Sequence, residues 1–307
     1  MPLDADLVVD RQRLKRRLNF WRVVAVLAVV LALVIAGRPN GRVGGVTFGK
    51  HIERYRIAGL IGSGTDIIED LRKLGEDDTV SAVLLHLDTP GGAVSGGEGI
   101  NAAVRALGAK KPVVTVMEGT AASAGYMIAV ATPHIVARDS TITGSIGVIM
   151  EAANFGGLLD KIGVSDEALV SGPLKGQPSL TKPLSPEGRQ VLQAMVGDLY
   201  DQFVGLVAAG RHMDPAHVRE MADGRAYTGR QAKALGLVDE IGGDDEAQHW
   251  LEAQKLVPRG LKVTEPDKRP WMQRLAATSL SGIVTSAEQS LRVDGAWAVW
   301  QPSLSRE

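Results

Sequence analysis

The chain has 307 residues, 45% of them hydrophobic, which is enough for one large domain or two ordinary ones with a substantial core. Its 34 Lys and Arg against 35 Asp and Glu give a formal net charge of -1, which excludes an overall electrostatic case for binding nucleic acid. The absence of cysteine excludes disulfides, thiolate metal sites and a cysteine nucleophile.

The first pattern along the chain is an almost unbroken apolar stretch at 20–36, FWRVVAVLAVVLALVIA, at the short end of what spans a bilayer. Five basic residues precede it between 11 and 17, so the positive-inside rule places residues 1–19 in the cytoplasm. A cleaved signal peptide fits the same stretch, whereas a buried core helix fits poorly because every face is apolar. We expect a signal anchor at 20–36, a linker at 37–50 and the rest of the chain exported across the membrane.

The next part of the chain alternates apolar runs with helical patterns, which predicts an α/β fold. Runs typical of strands lie at 52–61, 80–88, 112–117, 135–137 and 147–151. Helical spacing is found at 65–74, 95–107, 154–162, 186–210, 215–222 and 229–236. Residues 256–307 form an extension of unknown role, in which 271–291 fits an amphipathic helix.

Residues 119–129, GTAASAGYMIA, place Ser123 among residues with little or no side chain. Such a segment lets the backbone bend sharply and lets substrate approach, so a turn from strand to helix would expose the hydroxyl. An ordinary helix N-cap fits the same serine.

A serine nucleophile needs a base, and histidine is the usual one. None of the histidines lies in a catalytic motif: His51, His86, His134, His212, His217 and His249. A lysine serves only when neutral, and lowering a lysine pKa from about 10.4 to near 7 costs about 4–5 kcal/mol, so burial or a nearby cation is needed. Lys175, in the turn SGPLKG, fits an inward lysine or a solvated one, and Lys182 is an alternative.

Five segments of the chain resemble a known family, and this resemblance decides between the alternatives for Ser123 and Lys175. They are HLDTPGG (86–92), GTAASAGYMIA (119–129), TGSIGVIME (143–151), SGPLKG (171–176) and DGRAYTGRQAKALGLVDEIG (223–242). Their order resembles the S49 serine peptidases, in particular the short, single-domain signal peptide peptidase A group. The resemblance implies a peptidase domain at 51–255, a crotonase/Clp-protease-like fold, a ring-like homo-oligomer, commonly an octamer, and no cofactor or metal.

The same resemblance implies a role for each matched residue. Ser123 would be the nucleophile, Lys175 the general base and Ser145 the residue that orients the lysine. The backbone N–H groups of Gly92 and Ala124 would form the oxyanion hole. The implied substrates are signal peptides left in the membrane and other small exported peptides.

Two other functions fit parts of the pattern. A crotonase-like acyl-CoA enzyme would share the architecture but would not need this serine and lysine, and an exported domain has no supply of acyl-CoA. An inactive membrane scaffold would keep the fold as a peptide-binding module. The presence of both Ser123 and Lys175 favours the peptidase.

Overall fold

The computed structural model describes residues 49–265, together with residues 17, 19–27, 42–43 and 46–47. The chain divides into one unit at Lys50–Pro266 and another formed by Met1–Gly49 with Asp267–Glu307. In the second of these, residues 19–27 are helical, and strand Arg42–Val43 pairs antiparallel with Val46–Thr47.

The structure describes only residues 20–27 of the predicted membrane anchor at 20–36. Residues 28–36 fall outside the described residues. Among the described residues, no helix combines the length and the apolar character needed to cross a membrane. Residues 266–307, including the amphipathic helix predicted at 271–291, also lie outside the described residues.

The unit Lys50–Pro266 is built on one mixed sheet of eight strands. The strands are β1 His51–Ala58, β2 Val80–Thr89, β3 Val113–Ala122, β4 Ile135–Ala137, β5 Ile142–Gly144, β6 Ala226–Thr228, β7 Glu240–Ile241 and β8 Val263–Thr264. The main order is β8-β1-β2-β3-β4-β7 with every neighbouring pair parallel. Strand β5 pairs parallel with the end of β3 and antiparallel with β6.

Eight helices of this unit flank the sheet or connect its strands. They are α1 Thr65–Glu76, α2 Val94–Gly108, α3 Ala124–Ala129, α4 Gly156–Lys161, α5 Pro186–Arg211, α6 Pro215–Met221, α7 Gly229–Ala234 and α8 Asp244–Ala253. Helix α5 begins where Ser185 accepts a hydrogen bond from the N–H of Gly188 at 2.9 Å, with Pro186 in the first turn.

The continuous apolar runs of the central strands follow from burial on both faces. Along β2, Val83, Leu85 and Leu87 belong to the cluster that packs with α1, α2, α3 and α5, whereas Ala82 and Leu84 belong to a second cluster with α8. The predicted strands at 80–88 and 112–117 are therefore present, and β3 continues to Ala122.

One strand differs from the sequence prediction. The strand predicted at 147–151 is wrong: the strand is Ile142–Gly144, and Ile149 is 84% exposed instead of packing in the sheet. Strand β8 lies beyond residue 255, where the sequence places the end of the peptidase domain, and its Val263 pairs with Ile52 of β1.

Candidate active site

Ser123 occupies the single residue between β3, which ends at Ala122, and α3, which begins at Ala124. Its backbone has φ 53° and ψ −120°, a conformation that costs a residue with a side chain about 1–3 kcal/mol. Its side chain makes no capping hydrogen bond to α3, so the hydroxyl does not act as a helix cap. The turn therefore presents a partly exposed serine hydroxyl, as at other strand-to-helix nucleophile turns.

The strand register places Ser145 beside Ser123. Ala122 of β3 pairs with Gly144 of β5, so the residues that follow each strand are neighbours. The N–H of Ser123 donates to the carbonyl of Gly144 at 2.9 Å, and the N–H of Ser145 donates to the carbonyl of Arg225 at 2.9 Å. Ser145 also has a positive φ, 49°, so both serines occupy unusual backbone conformations.

The turn at Gly91 and Gly92 lies against Ser123. A Cβ built on Gly91 would come within 2.8 Å of the Ser123 Cβ and 3.2 Å of the Ala124 nitrogen. A Cβ on Gly92, whose φ is 152°, would lie 2.1 Å from the carbonyl oxygen of Ile61, so only glycine fits there. Hydrogen bonds from Ile61 to Gly91 at 2.9 Å and from Ala93 to Ile61 at 2.8 Å hold the turn.

Two backbone N–H groups near Ser123 are available to a ligand. Within residues 49–265, the N–H groups of Gly92 and Ala124 donate no hydrogen bond to the protein. Ala124 is the first residue of α3, where helix geometry leaves N–H groups without intrahelical acceptors. Such groups suit an oxyanion that develops next to the serine.

A buried hydrogen bond fixes helix α3 behind the turn. The side-chain Nδ2 of Asn101, on α2, donates to the carbonyl of Met127, on α3, at 2.6 Å. Asn101 is almost completely buried, so its side-chain amide cannot hydrogen-bond to water and donates to the α3 carbonyl instead. The sequence does not predict this role of Asn101, because one asparagine within a helical pattern carries no sign of its partner.

Ser123 opens into a cavity of about 640 Å³. Its lining is Pro90, Gly92, Val94, Ser123, Ser145, Gly147, Val148, Ile149, Gln193, Val196, Gly197, Tyr200, Ala222, Asp223 and Gly224. Hydrogen bonds from the side chain and backbone of Arg225 lower the pKa of the Asp223 carboxyl, so the rim carries a carboxylate at neutral pH. Three of these residues, Gly92, Ser123 and Ser145, are site residues predicted from the sequence. Helix α5 supplies a further wall, which its helical pattern alone does not predict.

Lys175 is exposed in the connection between α4 and α5, where its N–H donates to the carbonyl of Gly172 at 3.1 Å. Lys182, in the same connection, is exposed as well. In the part of the chain that the structure describes, neither lysine belongs to the lining of the Ser123 cavity. One subunit thus brings together Ser123, Ser145, Gly92 and Ala124, whereas Lys175 does not line the cavity.

The histidines lie elsewhere. His86 is buried in β2, and its two ring nitrogens lie 2.8 Å from carboxylate oxygens of Glu118 and Asp244. His134 stacks on Trp250 with a centroid distance of 4.5 Å. No histidine of the described residues lines the cavity.

Comparison with known proteins identifies the relatives of this chain. The model of "Peptidase family S49" matches residues 105–258, and that of "Clp protease" matches residues 62–145. The protein slr0021 of Synechocystis sp., which carries a protease name, is 40% identical over 230 residues, covering 74% of this chain and 83% of its own length.

Two further relatives are longer than the matched region. A protein of Enterococcus faecium named as signal peptide peptidase SppA is 42% identical and covers 62% of this chain, and 56% of its own length is matched. "Protease 4" of Salmonella typhi is 40% identical and covers 60% of this chain, with 30% of its length matched.

Among solved structures, a mutant of the 1510-N membrane-bound stomatin-specific protease superposes with a TM-score of 0.51 at 16% identity, covering 72% of this chain and 100% of that chain. At this identity the likeness concerns the fold alone. With the Clp protease match, it confirms the predicted α/β, Clp-protease-like class.

Proposed function

Because the chain belongs to peptidase family S49, as its resemblance to signal peptide peptidase A predicts, we propose that it hydrolyses peptide bonds with Ser123 as the nucleophile. The observation that carries the proposal is the uncapped Ser123 hydroxyl, held at a strained turn and open to the cavity. Strained backbone conformations of this kind cluster at active sites, which favours the peptidase over a scaffold or an acyl-CoA enzyme.

The proposed mechanism is acyl transfer through a serine–lysine pair. Neutral Lys175 removes the proton from Ser123 Oγ, which attacks the peptide carbonyl carbon. The N–H groups of Gly92 and Ala124 bind the oxyanion of the tetrahedral intermediate, and Ser145 orients the lysine. Lys175 then protonates the leaving amine, and water hydrolyses the acyl-enzyme to regenerate Ser123.

In this proposal a neighbouring copy completes the site. Lys175 is exposed in a connection that carries exposed apolar side chains, including Leu169 at 94% and Leu180 at 63% exposure. Contiguous exposed apolar side chains mark association surfaces. A ring-like homo-oligomer, commonly an octamer, would cover them and enclose the lysine in a drier environment.

The proposed setting is the extracytoplasmic face of the bacterial cytoplasmic membrane, with residues 20–36 as anchor and residues 1–19 in the cytoplasm. The apolar sequence at 20–36 and the basic residues before it support this orientation. Substrates would be signal-peptide remnants and other small exported peptides. The relative named signal peptide peptidase supports that substrate class.

The nucleophile is tested on the full chain in detergent with an unstructured apolar peptide and a fluorophosphonate probe. We expect cleavage and labelling at Ser123, located by mass spectrometry, with both lost in Ser123→Ala. Ser140→Ala, which removes an exposed serine outside the cavity, should keep both. Labelling that persists in Ser123→Ala would overturn the assignment of the nucleophile.

The base is tested separately. Lys175→Ala should abolish cleavage, whereas Lys182→Ala, a matched change in the same connection, should leave most of it. The reverse pair of results would assign the base to Lys182. Absence of any Ser123-dependent cleavage by the unaltered protein would favour the inactive scaffold.

A further inference from the structure

One face of helix α5 forms a wall of the Ser123 cavity. Gln193, Val196, Gly197 and Tyr200 all line it, and positions three or four apart share a face of an α-helix. Helix α5 is anchored at its other end, where Phe203, Val204 and Val207 are buried in the core. The wall is therefore part of a rigid element.

Gly197 is the residue of this wall that has no side chain. A Cβ built there has no protein atom within 4 Å, so a larger residue would extend into the cavity without a clash. Gly210 of the same helix differs, because a Cβ there would lie 2.1 Å from the carbonyl oxygen of Val130. Close packing explains the glycine at 210, whereas at 197 the neighbouring space is the cavity.

The space beside Gly197 suits an apolar side chain. Val94, Val148 and Val196 line the cavity together with the ring of Tyr200. A volume of about 640 Å³ lies within the usual range of about 300–1,000 Å³ for ligand pockets. The cavity also contains Ser123 and Gly92, so a side chain bound in it would belong to a residue next to the attacked carbonyl.

We infer that Gly197 determines the size of the substrate side chain accepted beside the scissile bond, and that the preferred substrates carry a large apolar side chain of the leucine or phenylalanine class there. The inference rests on the proposed peptidase function. A residue at 197 with a side chain would occupy the same space and favour small substrate side chains such as alanine.

The test uses the full-length protein in detergent and peptides that differ only in one residue next to the cleaved bond, which is Ala, Leu or Phe. Mass spectrometry of the products defines the cleaved bond, and kcat/KM is measured for each peptide. The unaltered protein should prefer Phe or Leu over Ala. Gly197→Leu should lower the Phe-to-Ala ratio of kcat/KM by about 10- to 200-fold.

Two further variants make the result specific. Gly197→Ala adds one carbon and should give a smaller shift in the same direction. Gly205→Leu is the matched control, because Gly205 lies in the same helix with equally open space but does not line the cavity; its Phe-to-Ala ratio should stay unchanged. Replacing a helix-interior glycine favours the helix, so both leucine variants should remain folded in thermal unfolding.

The outcomes separate this inference from the proposed function. Ser123-dependent cleavage with the same Phe-to-Ala ratio in Gly197→Leu as in the unaltered protein overturns the inference alone. So does an equal change of that ratio in Gly205→Leu. Cleavage that does not depend on Ser123, or no cleavage by the unaltered protein, overturns the proposed function and the inference with it.

Discussion

Ser123 and Ser145 hold positive φ angles of 53° and 49° side by side, at the ends of two paired strands. A serine has no intrinsic preference for this region, so the surrounding structure must enforce it. The hydrogen bonds from Ser123 to Gly144 and from Ser145 to Arg225 provide that constraint. The sequence predicts a sharp turn from the small residues around Ser123, but a φ angle that depends on hydrogen bonds to distant residues is not encoded locally.

This backbone strain makes a prediction about stability. Ser123→Gly and Ser123→Ala both remove the hydroxyl, but glycine accepts positive φ without a Cβ penalty. We expect Ser123→Gly to exceed Ser123→Ala in free energy of unfolding by about 1 kcal/mol, measured by urea denaturation. At Gly205, inside α5, the order should reverse, with Gly205→Ala the more stable form. A more stable alanine variant at position 123 would contradict strain at this turn.

A second residue-scale prediction concerns Asp239. Burial alone would raise the pKa of this carboxyl, but hydrogen bonds from Arg211, the charge of Arg211 and the N–H of Ile135 outweigh burial and lower the pKa. A depressed native pKa stabilises the fold above the unfolded-state value, near 3.9, and this stabilisation disappears as pH falls through the native pKa.

We therefore expect Asp239→Asn to lower the free energy of unfolding at pH 7 by on the order of 3 kcal/mol, because it leaves the buried Arg211 guanidinium without its ion pair. The difference from the unaltered protein should stay constant down to about pH 5 and narrow below about pH 4. Asp201→Asn, which breaks the exposed pair with Arg219, should cost less than about 1 kcal/mol. A difference for Asp239→Asn that is independent of pH would exclude this electrostatic origin.

At the scale of elements, the sequence predicts a strand well where both faces of that strand are buried. Strands β2 and β3 are recognised because both of their faces are buried, which leaves continuous apolar runs. The end of β3 escapes prediction, since Glu118–Gly119–Thr120 has no apolar pattern and its pairing with β5 uses the backbone. Residues 147–151 mislead for the opposite reason: they are rich in apolar side chains, but none joins the sheet and Gly147, Val148 and Ile149 line the cavity.

The packing of α2 against α3 gives the element-scale prediction. Asn101→Leu keeps a similar volume but leaves the Met127 carbonyl without its donor at 2.6 Å, so we expect a loss of about 1–3 kcal/mol in the free energy of unfolding. Cleavage should also slow, because α3 carries the Ala124 N–H. Arg105→Leu removes only the bond from Arg105 to Asn101 and serves as the control, with a smaller loss. Equal losses in the two variants would argue against a special role for the α2–α3 bond.

At the scale of the whole molecule, the positions of Ser123 and Lys175 differ in how well the sequence predicts them. Ser123 is positioned by local turn chemistry and one strand pairing. Lys175 lies in a long connection whose exposed apolar side chains, such as Leu169, find no partner within residues 49–265 of one subunit's core. A sequence records the chemistry of a surface and not its partner. In the proposed mechanism, the environment of Lys175 would therefore depend on assembly.

Assembly through this connection is open to direct test. Leu169→Asp places a charge on a surface that we expect to be buried between copies, so the oligomer seen by light scattering should fall in mass and cleavage should be lost with it. Lys161→Asp also adds a negative charge to an exposed position of the same region and should leave the oligomer intact. An unchanged mass for Leu169→Asp would remove Leu169 from the interface.

If a neighbouring copy supplies Lys175, two inactive variants should restore activity to each other. In a ring with head-to-tail interfaces, Ser123→Ala and Lys175→Ala subunits co-expressed at equal amounts would place an intact serine beside an intact lysine at about a quarter of the interfaces. We expect roughly that fraction of the unaltered rate in mixed oligomers purified through two different affinity tags. Pure oligomers of either variant, prepared in parallel, should be inactive. Mixed oligomers that also stay inactive would show that Ser123 and Lys175 act within one subunit, with the connection between α4 and α5 moving to bring them together.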